Sequence, residues 1–186
     1  MAEPLSALII ENRDIPGLNE IISQHEHFLP KGTPIYHLHN EQINSIGNYN
    51  RLLLSKRLWR NLTSDRVLIF QHDSMLLKEG IEDFLEWDYC GAPWSWCDYG
   101  GNGGLSIRNP KTMMKIIDIG GWNGTLNEDH HICNVMHQSG MNLAPREVCS
   151  KFSVEAIYQL STVGFHAIDV WLTPSECNAI RTQYIK

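Results

Sequence analysis

Two continuous apolar runs constrain the fold of this chain more than any other feature of its sequence. The first, SALIIE, covers residues 6–11, and the second, RVLIF, covers residues 66–70. A strand with one solvent-facing side alternates apolar and polar residues, whereas a continuous apolar run is typical of a strand buried on both faces, as in a parallel sheet. Both runs end abruptly in polar residues. We therefore expect two inner strands of a sheet that is covered by helices on both faces.

The rest of the chain alternates predicted strands with predicted helices. Short strands are expected at 34–38 and from residue 88 until Pro93, and helices are expected after Pro16 and over residues 48–62, 79–87, 110–117 and 128–138. The segment from Phe152 onwards is predicted to be irregular. The pattern as a whole predicts one α/β domain over residues 1–186, with a mostly parallel central sheet flanked by helices.

Charge and composition exclude some functions. The net charge of −6 and the sequence pI near 5.8 argue against a nucleic-acid partner, which is usually met by a basic surface. No apolar run approaches the roughly 20 residues that a membrane span needs. The five cysteines form no CxxC pair and no signal-peptide pattern begins the chain, so free thiols and a cytoplasmic location are expected.

The end of the second apolar run contains the most informative acidic residue. Gln71, His72, Asp73 and Ser74 follow this run directly, and α/β sheets bind ligands beyond the carboxyl ends of their strands. A carboxylate there suits Mg²⁺ or Mn²⁺, and a histidine in the shell favours Mn²⁺. Asp73 is equally explained as the capping residue of a turn supported by Ser74, and the strand-end pattern alone leaves both interpretations open.

Two further segments allow both a structural and a functional interpretation. The glycine-rich stretch at 100–104 is neither a Walker motif nor a dinucleotide fingerprint, and taken alone it predicts a tight hairpin turn. Glu128 and Asp129 open a predicted helix. Acidic residues stabilise a first helical turn, and a carboxylate is also what a sugar transfer with inversion needs as a general base.

Six segments, taken in order, resemble a small glycosyltransferase-like family of the GT-A superfamily. They are VLIFQHDS, DYCGAPW, GNGGLSIRNP, NEDHH, FSVE and GFH, and the N-terminal IIENRD and the segment NYNRLLLSKRLW fit as well. Each motif alone is weak, but six in order across nearly the whole chain are specific. The resemblance implies a Rossmann-like GT-A fold and a metal-dependent hexosyltransferase, which moves a sugar from a nucleotide-diphosphate sugar onto a carbohydrate or other hydroxyl acceptor.

The resemblance also implies a metal site. Gln71-His72-Asp73 takes the place of the Asp-x-Asp motif of GT-A enzymes, with Gln71 replacing its first aspartate at the loss of one charge. Asp73 would contact Mn²⁺ or Mg²⁺, and His166 would be the late histidine that supplies a further ligand. Gln71 and His72 would belong to the donor-binding segment, Gln71 bonding the ribose and the His72 ring pointing back into the fold.

The remaining implied roles concern the donor, the base and the acceptor. Arg13 would bind the nucleotide, and Asn102, Gly103 and Gly104 would lie beside the donor sugar. Asp129, with Glu128 beside it, corresponds to the base of the inverting enzymes. The acceptor side would include Trp94 and Glu155, and Trp96 is the second tryptophan of that segment. The oligomeric state is left open.

Two other functions compete with sugar transfer. A nucleotide-sugar hydrolase would use Asp73 and His166 without an acceptor, and acceptor-dependent turnover would distinguish it from a transferase. A non-catalytic carbohydrate- or nucleotide-binding domain is the other alternative, and the glutamine at position 71 is the best argument for it.

Overall fold

The two apolar runs form adjacent strands in the middle of a five-stranded sheet. The computed structural model describes residues 3–184. The strands are β1 (Leu5–Ile10), β2 (Ile35–Leu38), β3 (Arg66–Phe70), β4 (Ser74–Leu76), β5 (Tyr89–Ala92), β6 (Asn102–Arg108), β7 (Ser153–Val154) and β8 (Gly164–His166). The helices are α1 (Leu18–Phe28), α2 (Ile46–Leu53), α3 (Lys56–Arg60), α4 (Pro110–Ile119), α5 (Glu128–Gln138), α6 (Arg146–Phe152), α7 (Ile168–Trp171) and α8 (Pro174–Thr182).

The central sheet has the order β2-β1-β3-β6-β5. β1 pairs in parallel with β2 and with β3, whereas β6 is antiparallel to both β3 and β5. Every strand of this sheet except β6 therefore runs in one direction, and the predicted α/β fold with a mainly parallel, helix-flanked sheet is confirmed. Because β6 runs the other way, its first residues lie at the same edge as the carboxyl ends of β1 and β3.

Burial on both faces explains the continuous apolar runs. Ala7, Ile9, Leu68 and Phe70 belong to one hydrophobic cluster, and their neighbours in sequence belong to a second cluster on the opposite face. Successive side chains of a strand point to opposite sides, so a strand between two cores needs an apolar residue at every position.

Two predicted helices differ from the structure. The helix expected at 48–62 is divided into α2 and α3, because the side chain of Ser55 accepts a hydrogen bond from the Arg57 amide and starts a new helix. The helix expected at 79–87 is only a short 3₁₀ turn, Ile81–Phe84, which follows Gly80 at φ 112°.

The glycine-rich stretch and the C-terminal segment were predicted wrongly. Asn102, Gly103 and Gly104 lie inside β6 and do not form a hairpin turn. The segment after Phe152 contains β7, β8, α7 and α8, and β8 lies between β4 and β7 in a second, three-stranded sheet. Short strands of three residues or fewer, such as β7 and β8, are too brief to produce a periodic pattern.

Two global expectations can be compared with the structure. All five cysteines are free thiols, as expected. Within residues 3–184 no helix combines the length and the apolar character needed to cross a membrane.

Ile180 tests whether α8 is an integral part of the domain. Its side chain is fully buried in a small cluster with Ile168 and Cys177, so Ile180→Ala should lower the free energy of unfolding by about 2–4 kcal/mol. Val170→Ala, at a side chain that is 71% exposed, is the control and should change it by less than about 0.5 kcal/mol. Urea denaturation measures both values, and equal effects would show that α8 does not unfold with the core.

Candidate active site

A cavity of about 690 Å³ opens at the carboxyl edge of β1 and β3. This volume lies in the range of small-molecule sites. All the predicted site residues except Trp94 and Glu155 line it. The lining comes from the segments after β1 and β3, the start of β6, the end of β8, and the beginnings of α2 and α5: Ile10, Glu11, Asn12, Arg13, Ile43, Asn44, Ser45, Ile46, Tyr49, Asn50, Gln71, His72, Asp73, Asn102, Gly103, Gly104, Asn127, Glu128, Asp129 and His166.

The pairing of β4 with β8 brings Asp73 to His166. Ser74 is the register partner of His166, and the Ala167 amide donates to the Asp73 carbonyl at 3.0 Å. Nε2 of His166 consequently lies 3.3 Å from Oδ1 of Asp73 and 3.0 Å from Oε1 of Gln71. Residues 95 positions apart in the sequence thus form one polar cluster at the cavity wall.

Glu155 lies behind His166 and does not line the cavity. Its side chain is buried, and its Oε1 is 3.3 Å from Nδ1 of His166 at an angle that does not make a hydrogen bond. The expected position of Glu155 on the acceptor side is therefore corrected: it follows directly after β7, whose pairing with β8 holds it against the far side of the His166 ring.

Two carboxylates determine the charge state of His166. Burial lowers the pKa of His166, but Asp73 and Glu155 outweigh it and raise this pKa to about 9. For Asp73, burial acts in the opposite direction and would raise the pKa. The contact with His166 outweighs burial, so the pKa of Asp73 lies below its ordinary value. Beside Asp73 and Glu155 alone, His166 therefore keeps its proton at neutral pH and Asp73 is an anion, and a metal ion held at Nε2 would have to replace that proton.

The Asp73–His166 pair has the geometry of two neighbouring metal ligands. Donor atoms about 2.1 Å from an octahedral ion are about 3 Å apart, close to the 3.3 Å between Oδ1 and Nε2. A carboxylate behind the other ring nitrogen, here Glu155, is a common partner of metal-binding histidines. Within residues 3–184 no group of three or more His, Cys, Asp or Glu side chains is placed to hold an ion. The residues fit a metal that is shared with an oxygen-rich ligand.

Glu11 is a site residue that the sequence analysis missed. Its carboxylate is buried and accepts hydrogen bonds from Nε and Nη2 of Arg13 at 2.9 and 2.7 Å. These hydrogen bonds oppose the effect of burial and lower the pKa of Glu11 to about 2. Glu11 is the last residue of the first apolar run, so its place at a strand end was a usable signal.

His72 faces the cavity, contrary to the expectation that its ring points back into the fold. Its Nδ1 lies 3.0 Å from Nη2 of Arg13 and 3.3 Å from Oε2 of Glu11. The ring therefore lies against the segment after β1. Arg13 and His72 consequently form one wall of the cavity.

A buried ion pair supports the opposite wall. Arg108 is fully buried and donates to Glu128 through Nη1 at 2.7 Å and Nη2 at 2.9 Å, and Nη2 also donates to the Gly103 carbonyl at 3.2 Å. The Gly103 amide donates to Oδ2 of Asp129 at 2.9 Å. Glu128 is therefore occupied by Arg108, and of the two acids Asp129 is the one outside this ion pair.

The glycines of β6 permit these close approaches. A Cβ at Gly103 would lie 2.4 Å from Nη2 of Arg108, and a Cβ at Gly104 would lie 2.2 Å from Nε2 of His166. Asn102 is the first residue of β6, and its Oδ1 accepts a hydrogen bond from the Gly104 amide at 2.7 Å. These glycines lie within β6, where the absence of a side chain lets Arg108 and His166 pack against the strand.

Tyr49 and Asn50 of α2 were also missed. Both line the cavity, and Nδ2 of Asn50 donates to Oδ1 of Asn127 at 3.3 Å, which connects α2 to the start of α5. Burial, with the nearby charge of Glu128, raises the pKa of Tyr49 to about 12, so that its phenol stays neutral. The segment NYNRLLLSKRLW, which resembled the family, contains both residues.

The cavity has a surplus of acidic groups. Glu11, Asp73, Glu128 and Asp129 line it, and among the lining residues within 3–184 Arg13 is the only arginine or lysine. Arg13 and Arg108 neutralise Glu11 and Glu128. Asp73 and Asp129 consequently remain as the carboxylates that no arginine pairs with.

Trp94 lies outside the cavity, contrary to its expected role. Its side chain is 7% exposed and belongs to the core cluster below the sheet, with Trp59 and Met136. The Trp96 ring stacks on it and His130 contacts both rings. After the end of β5 at Ala92, Trp94 is therefore buried, whereas Trp96 is 59% exposed.

The comparisons with known proteins agree with this architecture. The family described as "Protein of unknown function (DUF5672)" matches residues 33–166, and the chain therefore belongs to this family. No curated protein matches the sequence.

Solved structures show which fold the chain shares. A glycosyltransferase involved in the glycosylation of the major capsid of PBCV-1 superposes with a TM-score of 0.57 at 9% identity, over 88% of this chain and 92% of that chain. A197 from STIV gives 0.46 at 12% identity, over 71% and 76% of the two chains. The Drosophila β-1,4-galactosyltransferase 7 gives 0.47 at 15% identity, over 74% and 62%. The fold is glycosyltransferase-like, of the GT-A type.

Glu11 should make stability depend on pH. Its pKa falls from 4.5 to about 2 on folding, so it stabilises the folded state above pH 4.5, and this contribution is lost as the pH falls towards 2. Between pH 5 and pH 2 the native protein should lose about 1–3 kcal/mol more of its unfolding free energy than Glu11→Gln, allowing for the exposure of Arg13. Denaturant titrations across this range measure the difference, and parallel pH profiles would contradict the assignment.

Proposed function

Starting from membership of a family of unknown function, we propose that this protein is a metal-dependent glycosyltransferase. It transfers a sugar from a nucleotide-diphosphate sugar onto an acceptor hydroxyl, with inversion at the anomeric carbon. The observation that supports this most strongly is the meeting of Asp73 and His166 with Asp129 around one cavity at the carboxyl edge of the sheet. The glycosyltransferase-like fold supports the same reaction class.

Charge balance is the argument for a metal. A nucleotide diphosphate is an anion, and the cavity wall supplies more carboxylates than cations. Asp73 and His166 would hold Mn²⁺ or Mg²⁺, hard cations with a preference for oxygen ligands such as those of a phosphate. The bound ion would neutralise the charge that develops on the departing diphosphate. Arg13 and His72 would contact the nucleotide, and Gln71 its ribose.

Asp129 is the proposed base. It removes the proton of the acceptor hydroxyl, the oxygen forms a bond to the anomeric carbon, and the bond to the nucleotide diphosphate breaks on the opposite face with its electron pair. The Gly103 amide and the amide of His130 each donate to one oxygen of Asp129 and keep the carboxylate oriented. Asn102, Gly103 and Gly104 would lie beside the donor sugar.

The free thiols fit a reducing compartment. We accordingly propose the cytoplasm as the location of the protein.

Asp129→Asn tests the base. The amide keeps the shape and one oxygen acceptor for the Gly103 amide, but it cannot take a proton. We expect acceptor-dependent turnover to fall by about 10²–10⁴-fold, while the affinity for a nucleoside diphosphate with Mn²⁺, measured by calorimetry, stays the same. The product of the native enzyme, read by NMR, should have the anomeric configuration opposite to that of the donor.

Asp83→Asn is the matched control, because Asp83 is exposed and lies outside the cavity. It should leave turnover unchanged. A retained anomeric configuration would exclude Asp129 as the base. Glu128→Gln does not separate the two acids cleanly, since it also breaks the buried ion pair with Arg108.

Asp73→Asn tests the metal. It removes one ligand charge at a side chain that is 39% exposed, so we expect transfer to be abolished and the melting temperature to change little. Calorimetry should show that Mn²⁺ no longer strengthens the binding of uridine or guanosine diphosphate. Asp83→Asn is again the control.

Two outcomes would contradict the proposed reaction. Unchanged Mn²⁺-dependent binding in Asp73→Asn would remove Asp73 from the metal site. Donor cleavage that proceeds equally fast with and without acceptor would identify the protein as a nucleotide-sugar hydrolase.

A further inference from the structure

A buried histidine of α1 lies behind the segment that contains Asp73. Among the eleven residues of α1, His25 is the one whose side chain is fully buried, and Leu18 and Ile22 on the same face of the helix are apolar. A buried polar side chain costs free energy unless its polar atoms are paired. Packing alone would therefore favour an apolar residue at this position.

The His25 ring contacts both ends of the Gln71–Asp73 segment. It stacks on Phe70, the last residue of β3, with ring centroids 4.1 Å apart and planes at 21°. Its Nε2 lies 3.4 Å from Oγ of Ser74, the first residue of β4. One rigid ring consequently touches the residue before and the residue after the three that include the proposed metal ligand.

Hydrogen bonding determines which nitrogen of His25 is the acceptor. Nδ1 lies 2.9 Å from the Ile21 carbonyl, and because a carbonyl oxygen only accepts, Nδ1 has to carry the proton. Burial lowers the pKa of His25 to about 4, so the ring is neutral at neutral pH. Nε2 is thus an acceptor facing the Ser74 hydroxyl.

Ser74 fixes the turn and connects it to His166. Its hydroxyl and its amide both donate to the Gln71 carbonyl, at 2.6 and 3.1 Å. In the pairing of β4 with β8, Ser74 is the register partner of His166, and the Ala167 amide donates to the Asp73 carbonyl at 3.0 Å. The position of Ser74 therefore influences where Asp73 meets His166.

We propose that His25 is a positioning residue, which acts through Phe70 and Ser74 to hold the Gln71–Asp73 segment in the shape that directs Asp73 to His166. His25 is not among the residues that line the cavity. The inference rests on the proposed function for its consequence, which is that metal-supported nucleotide binding depends on this buried ring. The shape of the segment itself can be measured without any ligand.

Amide hydrogen exchange of the full chain, followed by NMR, tests the positioning without a ligand. In His25→Phe the ring can still stack on Phe70, but the acceptor opposite Ser74 is lost. We expect the Ser74 and Ala167 amides to exchange about tenfold faster, the effect of about one lost hydrogen bond on local opening, while the amides of β1 exchange as before. His25→Gln, whose side-chain amide reaches the position of Nε2, should restore part of the protection.

His27→Phe is the matched control, because His27 is an exposed histidine of the same helix, and it should exchange like the native protein. Unchanged exchange at Ala167 in His25→Phe would overturn the positioning role. An equal increase that includes the amides of β1 would overturn it as well, since a residue that only stabilises the core has that effect. If His25→Phe does not fold, His25→Leu also removes the acceptor and carries the same expectation.

Ser74→Ala tests whether the two side chains act through their contact. Residues that act through one contact give non-additive effects when both are changed. The double variant His25→Phe with Ser74→Ala should therefore accelerate exchange at Ala167 by less than the product of the two single factors. Fully independent effects would show that His25 does not act through Ser74.

Nucleotide binding separates this inference from the proposed function. Calorimetry with uridine and guanosine diphosphates should show affinity in the presence of Mn²⁺ about tenfold weaker in His25→Phe, with the affinity measured without Mn²⁺ unchanged and His27→Phe equal to the native protein. An effect on exchange without this loss of Mn²⁺-supported affinity would make His25 purely structural and overturn the proposal.

The two measurements together distinguish the possible failures. If neither nucleotide binds to the native protein while exchange at Ala167 depends on His25, the transferase proposal fails and the positioning of the segment stands. If nucleotides bind with Mn²⁺ and His25→Phe alters neither exchange nor affinity, the positioning role fails and the transferase proposal stands.

Discussion

The candidate active site depends on the buried ion pair between Arg108 and Glu128. Both groups are withdrawn from water, and such a pair is stable only when its remaining polar atoms are satisfied. Here the guanidinium also bonds the Gly103 carbonyl and the Ser106 hydroxyl. Loss of one partner would leave a buried charge, at a cost of about 3–5 kcal/mol. The pair consequently joins β6 to the start of α5 and determines where Asp129 lies.

The rest of the site is built on the same strand. Gly103 lets Arg108 approach one side of β6, and Gly104 lets His166 approach where a methyl group would collide with the ring. His166 then meets Asp73 across the strand ends. This arrangement needs segments from the start, the middle and the end of the chain, and the second sheet, in which β8 pairs with β4, is what brings the last of them into place.

Much of the fold could be predicted because its signals are local. Residues 7–10 and 67–70 are apolar at every position, and that pattern is typical of a strand between two cores. Pro110 and the acidic pair at 128–129 mark helix starts in the same way. The division of residues 48–62 into two helices depends on a single capping serine, Ser55, and the short strands near residue 153 and residue 165 are too brief for any periodicity to appear.

The sequence by itself determined the α/β class and the strand ends that face the cavity, and together with the family resemblance it named half of the residues that line the cavity. Periodicity and strand-end position are properties of neighbouring residues, and they can be recognised in the sequence without any knowledge of packing. Only the tertiary structure decided what each side chain faces: Glu155 supports His166 from behind, Glu128 is taken by Arg108, Glu11 orients Arg13, and Trp96 is exposed where Trp94 is buried. Those pairings depend on which distant segments the sheets bring together, and a pattern among neighbouring residues does not specify contacts between distant segments.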